Sequence, residues 1–426
     1  MPQVFPLLIP QAATGALSSI LHESRVRSLF LSFPLSLSLA FPHCSVWLFL
    51  PLRPLIPFGV RGSDRFLQIP PKEARMTRKV MLVVVAVAAG LILARSTANA
   101  QTQMQVYGLW HCYSDACSWA SVPNMTTFDT DNHWILDRGN GSPSANLVVL
   151  SFVDPVKLMN RTNDSTTVNG IPIGMTTAVV NYFQSKGIRV MMSVGGFSYT
   201  KNWDKALGNN PTQLGINAAN AAKQFNVGME IDYEKSSNPN LTGLQQFVSA
   251  YRSVTPYDAT GTNFAARLTI DLGNNDQYLT AIANYAALNW LTTGSPVLDY
   301  ANAMVATQKT SISTLETGWA QHVDGTSSVP PTAPAKLTGS LWLVGGQPNC
   351  ATFNSSDQNA AANFVETLPP KGSGSTSGML GYMFWAAGCQ GNGTGCTFPP
   401  TTCQGGVGVG ATALNIAIPM PALRQN

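Results

Sequence analysis

From Gln105 onward the chain alternates short, apolar, β-rich runs with helix-like stretches. Eight runs recur: Gln105–Trp110, Asn146–Val153, Ile188–Val194, Val227–Tyr233, Arg267–Leu272, Leu298–Val305, Ser340–Val344 and Met379–Trp385. Their starts lie about 30–45 residues apart, which leaves room for a strand, a helix and two loops and is too wide for antiparallel hairpins. The segments between them carry helix signals: Thr176 to Lys186 stops at Gly187, Leu241 to Val254 precedes Pro256, and Gln277 to Leu291 ends near Gly294. Strands alternating with helices imply a parallel sheet covered by helices. Eight such units over about 280 residues fit a closed (β/α)8 TIM barrel, whereas an open doubly wound sheet would more often have fewer strands. The glycine- and serine-rich stretch 371–378 reads as a loop before the last strand, because too little chain follows it to build another domain.

The first hundred residues follow a different pattern. Met76 opens a basic stretch (Arg78, Lys79), then an apolar run from Val80 to Leu93, then Ala98-Asn99-Ala100, a small-x-small cleavage pattern. Residues 76–100 therefore read as a secretory signal peptide, and the run is shorter than the roughly 20 residues of a membrane-spanning helix, so no stable membrane anchor is expected. Residues 1–75 are rich in Pro, Leu, Ser and Phe without sustained period, and are assigned no fold. They read as a leader or gene-model artefact, with a pro-segment or low-complexity extension as the alternative. The expected organisation is thus 1–75 unassigned, 76–100 signal peptide, and 101–426 a single catalytic domain with a cysteine-rich C-terminal segment.

That division changes the meaning of the charge. The whole chain carries a net +4, but residues 1–100 hold 10 of its 25 Lys and Arg and 3 of its 21 Asp and Glu. The remainder has 15 basic against 18 acidic side chains, a balance that argues against nucleic acid as a partner. Of seven cysteines only Cys44 precedes Cys112, leaving Cys112, Cys117, Cys350, Cys389, Cys396 and Cys403, an even number in an expected secreted chain. Disulfides are the natural reading; six cysteines allow fifteen pairings, and Cys112 with Cys117 would close a short loop. Seven Asn-x-Ser/Thr sequons, at Asn124, Asn140, Asn160, Asn163, Asn240, Asn354 and Asn392, suit a glycosylated surface. His111, His133 and His322 show no ligand spacing, and neither a metal nor a cofactor is implied.

The candidate chemistry lies in Val227-Gly-Met-Glu230-Ile-Asp232-Tyr-Glu234. Side chains alternate along a strand, so Glu230, Asp232 and Glu234 share one face while Met229, Ile231 and Tyr233 share the other. If the apolar set packs on helices, the carboxylates line the barrel interior. Crowded carboxylates resist joint ionisation, which raises at least one pKa, and a raised carboxyl suits general acid catalysis near neutral pH. Glu234, nearest the C-terminal end of the strand, sits where barrel active sites lie.

The run resembles the D-G-x-D-x-D-x-E signature of glycoside hydrolase family 18, the chitinases and related enzymes. Met192-Ser193-Val-Gly195-Gly196-Phe197-Ser198, one strand earlier, resembles the family's S-x-G-G motif, and Ser193 and Val227 lie 34 residues apart. The resemblance in layout extends over about residues 105–390 and places Trp385, at the end of the eighth run, where the family has the aromatic floor of its sugar site. It implies that Glu234 protonates the glycosidic oxygen, that Asp232 orients the 2-acetamido group acting as nucleophile, and that Glu230 relays charge from below with support from Ser193. Gly196, Met304, Trp385 and Tyr107 complete the substrate-binding set it implies. The implied function is a secreted hydrolase of β-1,4-linked N-acetylglucosamine polymers such as chitin.

Departures from the family pattern keep other readings open. Val227 stands at the signature's first Asp and Glu230 at its middle one; Ala306 and Thr307 replace the Tyr and Asp of the N-x-M-x-Y-D stretch, here Asn302-Ala-Met304-Val-Ala306-Thr307. The alternatives are a catalytically weak or inactive chitin-binding lectin, and an endo-β-N-acetylglucosaminidase acting on N-glycans. Trp110, Trp119, Trp203, Trp290, Trp319 and Trp342 could stack on sugar faces but are more often core residues.

Overall fold

The structure, a computed structural model, describes residues 105–112, 117–137, 141, 143–304, 311–342 and 379–388, with side chains omitted at Trp342, Tyr382 and Ala387. The leader, the signal peptide, Ala306, Thr307, Cys350, Cys389, Cys396, Cys403 and the sequons at Asn140, Asn354 and Asn392 lie outside the described residues.

Eight strands form a closed, wholly parallel barrel. They are β1 (Val106–His111), β2 (Leu147–Val153), β5 (Arg189–Gly195), β6 (Gly228–Asp232), β7 (Leu268–Leu272), β8 (Ala301–Ala303), β9 (Leu337–Trp342) and β10 (Gly381–Ala387). β1 closes the ring by pairing with both β2 and β10. A small antiparallel hairpin, β3 (Thr167–Val168) with β4 (Ile171–Pro172), is inserted after β2. The described helices are α1 (Met125–Leu136), α2 (Pro155–Asn160), α3 (Thr177–Gln184), α4 (Thr200–Asn209), α5 (Pro211–Phe225), α6 (Leu241–Val254), α7 (Thr280–Asn289) and α8 (Ile312–Asp324).

Helix boundaries follow their capping chemistry. Asn240 accepts the Gly243 N–H at 2.9 Å and opens α6 where its sequence pattern begins, while Asn124 caps α1 through the N–H groups of Thr126 and Thr127. Both asparagines lie in sequons, so their side chains have a local structural use. Two strands depart from the apolar runs. β8 is shorter than its run: Leu298 gives its N–H to the Trp290 carbonyl and stands outside the ladder, and Val305 lies outside the described residues. β9 begins at Leu337, before its run, because Thr338 and Gly339 pair in the sheet without being apolar: Thr338 bonds Asn302, and the Trp319 ring lies where a Cβ on Gly339 would sit.

Two packing layers result. Outward-facing residues such as Val148, Leu150, Met192, Val194, Met229 and Ile231 meet Leu214, Ala218, Phe247 and Val248 in the main core. Each large apolar side chain buried there contributes roughly 1.5–3 kcal/mol. Inside the barrel, Val106, Leu147, Val149, Met191, Tyr300 and Met383 form a smaller apolar plug, with Trp110 at its upper edge. At the rim Cys112 and Cys117 form a disulfide, so the short loop that the sequence allowed is the one closed.

His111 is the polar exception on the outward face of β1. Its ring lies against Trp119, Phe128 and Phe183, and Nε2 meets Asn132 Oδ1 at 2.9 Å. Burial disfavours its charged form and lowers its pKa to about 4. The native state therefore stays neutral while the unfolded chain takes up a proton below about pH 6.5. Stability that is complete above pH 6.5 is lost as the pH falls towards 4, by about 3 kcal/mol in total. Urea denaturation at stepped pH should show this loss in the wild type, and His111→Gln should lack that component whatever its absolute stability.

Candidate active site

β6 runs between β5 and β7, with Ser193 opposite Glu230, Gly195 opposite Asp232, and Glu230 opposite Thr269. Because Met229, Ile231 and Tyr233 enter the helix-facing core, Glu230 and Asp232 project into the barrel, both buried. Past Asp232 the chain leaves the sheet, and both neighbours of the next carboxylate are tied to α4. The Tyr233 hydroxyl donates to Asp204 Oδ1 at 2.5 Å, and Lys235 Nζ reaches Asp204 Oδ2 at 2.8 Å. The Asn240 N–H fixes the same Tyr233 hydroxyl from the other side, at 3.2 Å. Glu234 is thereby turned to the C-terminal mouth, half-buried, where its Oε2 accepts the Tyr278 hydroxyl at 3.1 Å.

The neighbouring strand end is held as tightly. The fully buried Trp203 donates Nε1 to the carbonyls of Asp232 (2.9 Å) and Val194 (3.2 Å), and the Gly196 N–H also donates to the Asp232 carbonyl (3.0 Å). Gly195 has φ +121°, and a Cβ there would lie 1.9 Å from the Asp232 carbonyl oxygen. Gly196, at φ 88° and ψ 163°, occupies a region open essentially to glycine alone. A Cβ on Gly196 would meet the Phe152 ring at 2.9 Å. The two glycines thus let β5 close onto Phe152 and Asp232.

Below Asp232 the barrel floor is polar. Glu230 Oε1 accepts Trp110 Nε1 at 2.8 Å and Oε2 accepts Asn302 Nδ2 at 2.7 Å. The same amide nitrogen donates to Asp271 Oδ1 at 3.0 Å, and Asn302 Oδ1 accepts the Thr338 hydroxyl at 2.6 Å. The buried Ser193 lies opposite Glu230 in the sheet, and its hydroxyl has no hydrogen-bond partner among the described residues. Burial raises the Glu230 pKa against the hydrogen bonds from Trp110 and Asn302. Asp271 is held well above the usual carboxylate range, by burial first and then by the charges of Glu230 and Asp232.

The structure brings Glu230, Asp232, Glu234 and Ser193 together at one end of β5 and β6. Trp385, half-buried, stacks on Phe152 with centroids 5.7 Å apart and meets Trp110 edge-on at 6.2 Å, so it stands beside the carboxylate floor. Met304 is half-buried at the end of β8, its N–H on the Leu272 carbonyl. Tyr107 is a correction to the substrate-binding set. It points to the helix layer near the start of β1, fully buried edge-on against Phe384, and the inward-facing aromatic at the C-terminal end of that strand is Trp110. The period of two places them on opposite faces. Trp119, Trp203, Trp290 and Trp319 are buried in the core and present no face to a sugar.

Two functional candidates escaped the sequence. Asp271 left a legible trace, since Thr269 and Asp271 alternate with Leu268, Ile270 and Leu272 and so mark a polar inner face. Tyr278 left none: it belongs to the β7–α7 loop, which occupies residues the periodicity assigns to a helix.

No family model matches the sequence, and no curated protein matches it. Solved structures that match include a family 18 chitinase from Pseudoalteromonas aurantia, at 13% identity and TM-score 0.43 over 67% of this chain and 96% of its own. A chitinase from Rhizomucor miehei matches at 11% identity and TM-score 0.44 over 71% and 99%. A family 18 chitinase from Cycas revoluta in complex with (GlcNAc)4 matches at 12% identity and TM-score 0.38 over 64% and 93%.

The close approach at Gly195 makes a direct prediction. Gly195→Ala must push the Asp232 carbonyl or Trp203 away and should lower stability by about 3 kcal/mol or more. Equilibrium denaturation measures this, and Gly208→Ala, in α4 with open space at its Cβ, should not lose stability.

Proposed function

We propose that this protein is an exported glycoside hydrolase that cleaves β-1,4-linked N-acetylglucosamine polymers with retention of configuration, Glu234 serving as acid and base. The observation that carries the reading is the disposition of three carboxylates along β6. Glu230 and Asp232 are buried in the barrel, and Glu234 emerges at its C-terminal mouth beside a tyrosine hydroxyl. Barrel interiors are normally filled by branched apolar side chains, so a floor of acids is costly unless it does chemistry. The expected signal peptide and the Cys112–Cys117 disulfide support export.

In this reading Glu234 gives its proton to the glycosidic oxygen as the C1–O bond breaks, and the acetamido oxygen of the same sugar closes on C1. Water then attacks C1, the acetamido group is released, and the water proton returns to Glu234. Two inversions at C1 give net retention, with the substrate supplying the nucleophile that other retaining enzymes draw from a second carboxylate. Asp232 orients the acetamido N–H, and Trp385 offers a ring face below the sugar. Tyr278 supplies a hydroxyl at the site, where Ala306 leaves the family pattern without its tyrosine.

Ala306 also motivates a second reading, a chitin-binding lectin. Turnover of a fluorogenic N-acetylchitooligosaccharide by the purified protein decides between them. The hydrolase reading expects turnover that Glu234→Gln lowers by about 10³-fold or more while chitin binding persists. Chitin retention without wild-type turnover means the lectin. Absence of both turnover and binding overturns the polymer substrate and directs attention to N-glycan cores.

A further inference from the structure

Glu230 and Asp271 sit on neighbouring strands of the barrel floor and share the Asn302 amide, with no compensating cation bonded to either among the described residues. Each is about 1% exposed. Asn302 Nδ2 carries two hydrogens and spends one on each carboxyl, at 2.7 and 3.0 Å. Glu230 has a second fixed donor in Trp110. The ionisable groups facing Asp271 are Glu230 and Asp232 from β6, and the neighbours from β8 and its own strand, Asn302 and Thr269, carry no charge. On a packing helix, His322 of α8 is turned to the Gly273 carbonyl at 2.7 Å, and burial disfavours its charged form. Two adjacent carboxylates in such a place cannot both be ionised; one must hold a proton. The fixed donors decide which. Trp110 and Asn302 both favour charge on Glu230, whereas among the described residues Asp271 has the single Asn302 contact and the nearby negative charges.

We propose that Asp271 is a positioning residue that remains protonated at neutral pH and donates its hydrogen bond to Glu230, so that the pair carries one proton and one negative charge. The charge sits on Glu230, directly below Asp232. A second charge there would repel Asp232 and weaken its hold on the acetamido N–H; this kinetic consequence rests on the hydrolase reading, while the protonation itself does not.

Asp271→Asn tests the assignment, because an amide reproduces the neutral acid's shape and its donor but cannot ionise. The first readout needs no substrate. A carboxyl whose proton is held more tightly in the native state destabilises the fold as the pH rises from about 4, where the unfolded chain releases that proton, towards the native pKa. Wild-type stability should therefore fall through this range relative to Asp271→Asn, which lacks that slope; coincident pH profiles between about pH 4 and 9 overturn the proposal. If Asp271→Asn does not fold, Glu230→Gln serves instead. Removing the charge that retains the proton should make the slope shallower, and an unchanged slope overturns the proposal. The second readout is turnover. Asp271→Asn should carry its alkaline limb to higher pH than the wild type, and Asp271→Ala should fall at least about tenfold below Asp271→Asn in kcat at the optimum with little change in KM. Equal damage from Asn and Ala overturns the proposal. If the wild type shows no turnover, the hydrolase reading fails on its own and the stability profiles still decide the proton.

Discussion

The candidate site depends on one buried hydrogen-bonded group, the Asn302 amide shared between Glu230 and Asp271, closed from the sides by Trp110 and Thr338. Five side chains from five different strands meet there, so the set exists only when the barrel is closed and every register is correct. A one-residue slip of β6 would send Glu230 and Asp232 into the helix layer and Met229 and Ile231 into the floor. Buried polar groups of this kind are costly when any member lacks a partner. The apolar plug beneath and the helix-facing core around it supply the burial that offsets that cost.

Electrostatic strain and geometry here have the same source. The strands place the acids one above another on β6, and the absence of a facing cation among the described residues leaves them to share protons and donors. Upward along that column, burial decreases: Glu230 is enclosed, Asp232 is slightly open, and Glu234 reaches the mouth. A gradient of exposure along one strand thus separates the enclosed carboxyls from the one at the mouth, to which the proposed reading gives the proton transfer.

Much of this was legible in the sequence because period two and loop length are local properties. The eight apolar runs, the shared face of Glu230, Asp232 and Glu234, and the glycines at 195 and 196 all follow from local alternation and backbone chemistry. What was not legible depends on contacts between distant segments. Tyr107 and Trp110 both fit a substrate-facing role until the start of β1 fixes which parity points inward. Thr338 and Gly339 extend β9 because of partners 36 and 20 residues earlier, Asn302 and Trp319, that no local window contains. Tyr278 reaches Glu234 across 44 residues from a loop whose own pattern suggests a helix.

The anchoring of Tyr233 and Lys235 to Asp204 has a consequence for variation in this barrel. The backbone on either side of Glu234 is held from behind, by a helix outside the mouth, while its carboxyl is met at the mouth by the Tyr278 hydroxyl. On the proposed hydrolase reading, mouth loops other than the one that carries Tyr278 could be lengthened, shortened or exchanged to admit a different polymer while the backbone around Glu234 stays anchored. If the proposed reading holds, the loops that would grip a saccharide and the helix that anchors the acid are separate supports joined only at Tyr278 among the contacts described, so selection for a new saccharide can act on the one with little effect on the other.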